Sequence, residues 1–245
     1  MILVHGVGEH IGRYSYWAGR FVERGFCFTG VDLPGHGKSD GRRGVLNNYG
    51  ITAEMLDRLI SEMRKTFPGI PLFIYGHSMG GTIVLQYILQ NKPGIKGAVV
   101  TSPWLRLSFE PAKSKIVLAG IMKSILPSLV KPSSLVVDHV SHDKAAVEAY
   151  KNDPLNHDRI SVGLFHSTMT AAAYSLDHAS GLGLPLLLVH GSDDKITSPE
   201  GSREFASKTP LAELKIWNGG YHELHNETFK DEVFEFIAAW MESRL

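Results

Sequence analysis

One six-residue segment, Gly76-His-Ser-Met-Gly-Gly81, constrains the fold of this chain more than any other. An apolar run at residues 71–75 precedes it, and a helix-like run at residues 82–90 follows it. The pattern predicts a strand, a sharp turn and a helix, with Ser78 at the corner and its hydroxyl exposed. Such a turn strains the serine backbone, and the glycines two positions to either side leave room for the crossing chain. The segment therefore predicts a nucleophilic serine.

The same G-x-S-x-G spacing occurs a second time, at Gly37-Lys-Ser-Asp-Gly41. This copy follows a glycine-rich turn at residues 34–37 and runs into another at residues 41–44, with no apolar helix behind it. A nucleophile of this type needs the strand before it and the helix after it. We therefore predict that Ser78 is the nucleophile and that Ser39 is a loop residue.

Composition excludes several classes of protein. The 245 residues include 25 basic and 25 acidic side chains and no basic run longer than Arg42-Arg43, so we expect no nucleic-acid partner. No apolar stretch reaches the roughly 18 residues that a membrane-spanning helix needs, so none is expected. The single cysteine, Cys27, excludes an internal disulfide. Its neighbours Phe26 and Phe28 predict a buried position in a strand.

Short β-like runs alternate with helix-like runs over most of the chain. The β-like runs lie at residues 2–5, 27–33, 72–75, 95–101, 186–190 and 213–217. The helix-like runs lie at residues 14–24, 52–66, 80–91, 199–208 and 227–242. This alternation predicts an α/β fold with a mostly parallel sheet and helices on both faces. In such a sheet, catalytic groups lie at the carboxyl ends of the strands.

The alternation stops between residues 103 and 183. A segment of about 80 residues is too long for a bare connection, and helix-like pieces at 112–126, 144–151 and 160–176 predict a helical cap, or lid. The core then consists of residues 1–102 and 184–245. Apolar cap residues are predicted to line an acyl tunnel or to touch a lipid surface, and packing onto the core is the alternative. They are residues 116–122, Ile125, Leu126, Leu129 and Val130.

Two loops downstream of Ser78 carry the groups that could activate it. A serine hydroxyl needs a base at neutral pH, and the base needs a carboxylate to orient it. The order expected after the serine is the acid and then the histidine. The run at 186–190 leads into Gly191-Ser-Asp-Asp194, and the run at 213–217 leads into a loop that ends in His222. We predict His222 as the base, with Asp193 and Asp194 competing as the acid.

Five segments together carry a family resemblance. They are residues 5–14 (HGVGEHIGRY), 32–41 (DLPGHGKSDG), 76–81 (GHSMGG), 191–194 (GSDD) and 221–225 (YHELH). In this order they resemble the monoacylglycerol lipase and lysophospholipase branch of the α/β-hydrolase family. The resemblance implies the α/β-hydrolase fold. It also implies Asp194 as the acid, and not Asp193, because the family's acid is the last residue of a G-x-x-D segment.

The resemblance also implies the groups around the nucleophile. Two backbone N–H groups form the oxyanion hole in such enzymes. One belongs to the residue after the serine, Met79, and the family's H-G-x-G-E-H loop implies Val7 for the other. Glu9, Arg13 and His225 match positions that bind a glycerol head group. The alternative for the first two is a surface ion pair at helical spacing.

Two features depart from the family pattern. The cap matches weakly, which leaves the acyl-chain preference open. The chain also begins at what should be the family's third strand, so two edge strands are expected to be absent from it, and a signal peptide upstream is not excluded. We expect a protein of the cytoplasm or one peripherally associated with a membrane through the cap.

The predicted chemistry is ester hydrolysis through an acyl-enzyme on Ser78, with monoacylglycerols as the substrate that the resemblance implies. No cofactor and no catalytic metal are expected. Within enzymes, a lysophospholipase or a general short- or medium-chain carboxylesterase is the alternative, because a triad meets the same carbonyl group in each. A non-catalytic binding protein with the hydrolase fold is an alternative of a different class.

Overall fold

Six parallel strands form the sheet at the centre of the molecule, whose computed structural model describes residues 1–46, 49–109, 120 and 122–245. The strands along the chain are β1 (Ile2–Val4), β2 (Thr29–Gly30), β3 (Phe73–His77), β4 (Gly97–Thr101), β5 (Val130–Pro132), β6 (Arg159–Ser161), β7 (Leu186–Gly191) and β8 (Ala212–Trp217). The sheet has the order β2-β1-β3-β4-β7-β8. β5 and β6 pair separately and are antiparallel.

Helices cover both faces of this sheet. They are α1 (Ser15–Glu23), α2 (Ile51–Thr66), α3 (Met79–Asn91), α4 (Lys144–Asn152), α5 (Val162–Asp177), α6 (Pro199–Ser207) and α7 (Lys230–Glu242). Ile2 and Val4 of β1 pack into the core that includes α2 and α3, whereas Leu3 packs into the core that includes α1 and α7. Successive strand side chains point to opposite faces, so each strand contributes to both cores. The predicted α/β class is confirmed.

The edge of the sheet corrects one prediction. The sequence predicts a strand at residues 27–33, but only Thr29–Gly30 is paired as a strand. β2 is the edge strand, with β1 beside it, so one side alone supplies the ladder that keeps it extended. Cys27 lies just before the paired residues and is exposed. The prediction of a buried cysteine is therefore wrong.

The connection between β4 and β7 contains the segment predicted as a cap. The described residues there hold α4, α5 and the β5–β6 ribbon, so the segment is not purely helical. The predicted helix at residues 112–126 lies largely outside the described residues, and residues 122–125 are helical. Within the described part of the chain, no helix combines the length and the apolarity needed to cross a bilayer.

One predicted cap helix begins later than the sequence suggested. A helix is predicted from residue 160, but α5 begins at Val162. Ile160 pairs with Lys131 in the ribbon, and the Ser161 side chain accepts the N–H of Leu164. Ser161 is therefore the N-cap that starts the helix, and the β-branched residue before it completes a strand.

Candidate active site

Ser78 occupies the single-residue corner between β3 and α3. Its backbone angles are φ 54° and ψ −119°, a strained conformation for a residue with a side chain. The corner is tight. A Cβ at Gly80 would lie 2.1 Å from the carbonyl oxygen of Val4, and one at Gly76 would lie 2.7 Å from that of Gly80. The sequence thus uses glycine where backbones cross, and Ser78 faces a cavity of about 270 Å³.

His222 and Asp194 meet at this cavity although they come from different loops. Asp194 follows β7 and His222 follows β8, and neighbouring parallel strands bring these two loops together. The His222 Nδ1 lies 2.7 Å from the Asp194 Oδ2. His222 lines the same cavity as Ser78. With Nδ1–H donating to the carboxylate, Nε2 is the ring nitrogen that can accept a proton.

Charge and burial set the protonation of this pair. Burial lowers the pKa of His222, but the charge of Asp194 and its hydrogen bond outweigh it and raise that pKa above its ordinary value. Burial alone raises the pKa of Asp194, whereas His222 and His190 hold the pKa of that carboxyl well below its usual range. Asp194 is therefore ionised, and its charge stabilises an imidazolium on His222.

Asp194 is held by neighbours that sequence reasoning did not identify. Its Oδ1 accepts the N–H groups of Ile196 and Thr197 at 2.8 and 3.0 Å. Its Oδ2 accepts the Thr197 hydroxyl at 2.9 Å and lies 3.1 Å from His190 Nε2. His190 ends the apolar run of β7, and a histidine closing a buried strand is the signal that could have revealed it.

The competing carboxylate lies elsewhere. Asp193 is exposed, and its Oδ1 accepts the hydroxyl of Ser192 at 2.6 Å. The structure therefore brings Asp194, and not Asp193, to His222. The second serine pattern is also separate from the cavity. Ser39 lies in a turn, where its hydroxyl donates to the carbonyl oxygen of Asp32 at 2.5 Å.

The two predicted oxyanion groups border Ser78. Met79 is the first residue of α3, and the first N–H groups of a helix have no partner within the helix. Val7 lines the cavity. The loop after β1 passes close to the serine, because a Cβ at Gly6 would lie 3.2 Å from the Ser78 Cβ. The geometry is thus compatible with two N–H donors near one ester oxygen.

The three predicted head-group residues do not share one environment. Glu9 lines the cavity, but Arg13 and His225 are absent from its described walls. The side chains of Arg13 and Glu9 are only 8% and 3% exposed, so the alternative of a surface pair is wrong. Their 2.7 Å ion pair is buried, and the same guanidinium also pairs with Glu223.

His225 is buried among aromatic rings. Its ring stacks on Tyr14 with the centroids 4.6 Å apart and meets His77 edge-on at 4.9 Å. Neither ring nitrogen has a hydrogen-bond partner among the described residues. Burial lowers the pKa of His225 to about 3, so the ring is neutral. His225 thus packs among aromatic rings and, unlike Glu9, does not line the cavity, so its predicted contact with a head group stays a prediction.

The apolar wall of the cavity comes from segments other than those predicted. Besides Val7, its apolar residues are Trp104, Leu107, Phe109, Leu135, Val136, Val140, Ile160, Phe165 and Ile196. Ile125 and Leu126 are 66% and 51% exposed and do not line it. Residues 116–119 and 121 lie outside the described part of the chain. Of the residues predicted to line a tunnel, those that the structure describes (Gly120, Met122, Ile125, Leu126, Leu129 and Val130) do not line this cavity, so for them that prediction is wrong.

Known proteins resemble this chain over its whole length. A family model described as serine aminopeptidase S33 matches residues 1–229. The chain is 36% identical, over 99% of its length, to an uncharacterized abhydrolase domain-containing protein of Dictyostelium discoideum, and it spans 26% of that protein. It is 30% identical, over 100% of its length, to a monoacylglycerol lipase of Mycolicibacterium smegmatis, of which it spans 88%. The crystal structure of Paleococcus ferrophilus monoacylglycerol lipase is similar at a TM-score of 0.93 and 33% identity, covering 100% of this chain and 94% of that one.

Proposed function

The chain belongs to the α/β-hydrolase family of serine hydrolases described as serine aminopeptidase S33, and from that premise we propose that it hydrolyses monoacylglycerols to a fatty acid and glycerol. The observation that carries the chemistry is the 2.7 Å contact between His222 Nδ1 and Asp194 Oδ2 in the cavity that Ser78 also faces. A base oriented by a carboxylate beside a strained serine is the arrangement that acyl transfer requires.

The proposed reaction has two halves. The Ser78 hydroxyl oxygen forms a bond to the ester carbonyl carbon while His222 Nε2 takes its proton, and the N–H groups of Val7 and Met79 hold the oxyanion. The ester C–O bond then breaks, and His222 returns the proton to the leaving alcohol. In the second half, the water oxygen bonds to the acyl carbon while His222 Nε2 takes a proton from it, and the bond from that carbon to Ser78 Oγ then breaks as His222 returns the proton to Oγ and the fatty acid leaves. Asp194 stabilises the imidazolium in both halves.

The shape of the cavity supports a substrate with one acyl chain. At about 270 Å³ it is slightly smaller than most small-molecule sites, which measure about 300–1,000 Å³. Apolar side chains such as Trp104, Leu135 and Phe165 form most of its wall, and Glu9 and Glu223 form a polar part of it near the catalytic residues. An apolar wall with a few polar groups suits a monoester of a fatty acid with a small polar alcohol.

The outer surface of the predicted cap supports contact with lipid. Ile125, Leu126 and Val136 are 66%, 51% and 50% exposed. Val136 also lines the cavity, so one of these exposed apolar side chains belongs to the site itself. We propose that this surface contacts lipid transiently during substrate uptake, because apolar side chains beside a polar rim can enter a lipid interface.

One observation favours a second candidate, a lysophospholipase. Lys195 lines the cavity, and its Nζ lies 3.0 Å from the Tyr221 hydroxyl. Within the described residues it forms no ion pair with a carboxylate, so an ammonium donor remains available at the wall. A phosphate on the alcohol of the substrate would satisfy that donor.

A substrate panel tests the proposal. We expect the highest kcat/KM for monoacylglycerols in a comparison with lysophospholipids, triacylglycerols and p-nitrophenyl esters of matched acyl length. A preference for lysophospholipids that Lys195→Gln removes would select the second candidate. The control variant is Lys215→Gln, which changes a lysine on β8 whose ammonium lies over Trp217 and not in the cavity wall. Absence of hydrolysis of every ester by the wild type would reject both candidates.

A further inference from the structure

A buried ion-pair network borders the candidate active site, because its two carboxylates, Glu9 and Glu223, line the cavity and Arg13 joins them. The guanidinium of Arg13 forms a fork with Glu223, at 2.7 Å from Oε1 and 2.6 Å from Oε2. The same guanidinium donates to Glu9 Oε2 at 2.7 Å. One arginine therefore joins two carboxylates, and the side chains of all three are at least nine-tenths buried.

Each carboxylate of this network is tied to one half of the catalytic machinery. Glu9 Oε1 accepts the N–H of Gly6 at 2.6 Å, and Gly6 precedes Val7, whose N–H is assigned to the oxyanion hole. Glu223 follows His222 directly in the chain, and its own N–H donates to the Val140 carbonyl oxygen at 2.7 Å. Arg13 thus connects the loop of the oxyanion hole to the loop of the base.

Other protein groups already occupy several donors and acceptors of the network. Glu9 Oε1 also accepts the Tyr14 hydroxyl at 2.8 Å, and Glu223 Oε2 also accepts the Asn226 amide at 2.8 Å. The Arg13 guanidinium lies over the Tyr150 ring at 4.4 Å. The Arg13 guanidinium donates to a carboxylate on each side, and the Tyr150 ring covers its face. Few of its N–H groups are therefore available to a substrate hydroxyl.

We propose that Arg13 and Glu223 are positioning residues for acyl transfer, which set the distance between the oxyanion loop and His222 through the buried Glu9–Arg13–Glu223 network. The inference rests on the proposed function. Catalysis needs the two N–H donors and the base to be arranged around one carbonyl group, and a displacement of about 1 Å can cost about 100-fold in rate. A planar guanidinium that binds one carboxylate with two donors fixes orientation as well as distance.

A comparison of two esters separates positioning from head-group binding. Kinetics are measured on a monoacylglycerol and on a p-nitrophenyl ester with the same acyl chain, which has no glycerol. Arg13→Lys keeps the charge but removes the fork, and Glu223→Gln keeps the shape but removes the charge. Each variant is expected to lower kcat about 10- to 100-fold on both esters with KM changed less than about twofold. The double variant should be no slower than the slower single variant, because both changes break the same link.

A matched control uses an exposed ion pair. Glu204→Gln removes a carboxylate that pairs with Arg106 at the surface, and it should leave both kcat values unchanged. Melting temperatures of all variants show whether they remain folded. If Arg13→Lys does not fold, Glu223→Gln alone carries the test, because glutamine preserves the side-chain volume.

Two results would overturn the inference. A raised KM for the monoacylglycerol alone, with normal turnover of the p-nitrophenyl ester, would make Arg13 a head-group residue. Unchanged kcat on both esters in folded variants would leave the network without a catalytic role. Both results require an active wild type. A wild type that neither hydrolyses an ester nor reacts with a fluorophosphonate would reject the proposed function itself.

Discussion

Two loops of this protein share the G-x-S-x-G spacing, and their serines have different surroundings. Ser78 is held at φ 54° between a buried strand and the first residue of α3, and it faces the cavity that contains His222. Ser39 lies in a turn whose flanking glycines, Gly37 and Gly41, take the positive φ angles instead. Its hydroxyl is used within the loop, where it donates to the backbone of Asp32.

The comparison teaches that the spacing alone does not make a nucleophile. In both loops glycine relieves crowding, but at the Ser78 corner the crowding comes from a crossing strand, β1. At that corner the helix also directs its N-terminus to the site, where developing negative charge is stabilised. The loops after β7 and β8, which are neighbours in the sheet, place Asp194 and His222, the proposed acid and base, against each other. The three predictions below test this difference, from the largest expected effect to the smallest.

The largest effect is expected from removing each serine hydroxyl. Ser78→Ala should lower kcat on esters about 10⁶-fold, because no other group can form the acyl-enzyme. Ser39→Ala should leave kcat unchanged. Steady-state kinetics with both purified variants measure this, and fluorophosphonate labelling should be lost in the first and kept in the second. Near-normal hydrolysis by Ser78→Ala would reject the assignment of the nucleophile.

An intermediate effect is expected from adding a methyl group beside each serine. At Gly80 the new Cβ would meet the backbone oxygens of Val4 and His5 at 2.1 and 2.5 Å, so Gly80→Ala should lower the free energy of unfolding by about 3 kcal/mol or more. At Gly41 its nearest neighbour is the Gly35 nitrogen at 3.2 Å, and the positive φ should cost about 1–2 kcal/mol.

Urea denaturation of the two glycine variants provides the measurement. Gly80→Ala should also lose activity, since the same overlap displaces the corner that holds Ser78. Equal destabilisation by the two substitutions would mean that the strand crossing at Gly80 is not a special constraint.

The smallest effect is expected in the pH dependence of kcat/KM, which reports the protonation of His222, the proposed base for Ser78. The base must be unprotonated, so kcat/KM should fall as the pH drops through the pKa of His222, which is raised above its ordinary value. Several titratable groups surround His222. Asp194 and Glu9 come from other loops, and Glu223 follows His222 in the same loop. His77, on β3, lies against the His222 ring. The three carboxylates favour the protonated ring.

Replacement of one of these carboxylates should move the acid limb of the profile of kcat/KM against pH, which is the pH range where activity falls as His222 becomes protonated. Glu223→Gln removes a negative charge that raises the pKa of His222, so the ring loses its proton at a lower pH and the limb should shift to lower pH. Glu204→Gln is the control and should leave the limb in place, because that carboxylate lies at the surface. A shift of the limb to higher pH in Glu223→Gln would contradict the assigned electrostatics.

Much of the core could be predicted because its signals are local. The apolar run before Ser78, the glycines around it and the helix-like run after it lie within one short segment. The loops that end in Asp194 and His222 could be recognised in the same way, because each directly follows a strand. A parallel sheet collects the carboxyl ends of its strands at one edge, so the order of motifs along the chain was enough to group these residues.

The errors fall where the outcome depends on a distant partner. Cys27 has a strand-like sequence context, but it lies beside an edge strand and is exposed. The apolar residues Ile125 and Leu126 suggested a tunnel, but they are exposed and do not line the cavity. In both cases the apolar sequence context predicted a buried side chain. Whether the side chain is buried depends on whether another part of the fold packs against it.

The sequence by itself determined the alternating α/β architecture, singled out Ser78 and His222, and limited the acid to Asp193 or Asp194, because periodicity and strand-end loops depend on neighbouring residues. The family resemblance implied Asp194, and the structure places Asp194, not Asp193, against His222. Only the tertiary structure decided what surrounds these residues. The Arg13–Glu223 fork joins residues 210 positions apart, and the support of Asp194 by Thr197 and His190 depends on the turn of one loop. Buried charges need partners at fixed geometry, and a chain shows such partners only when it is folded.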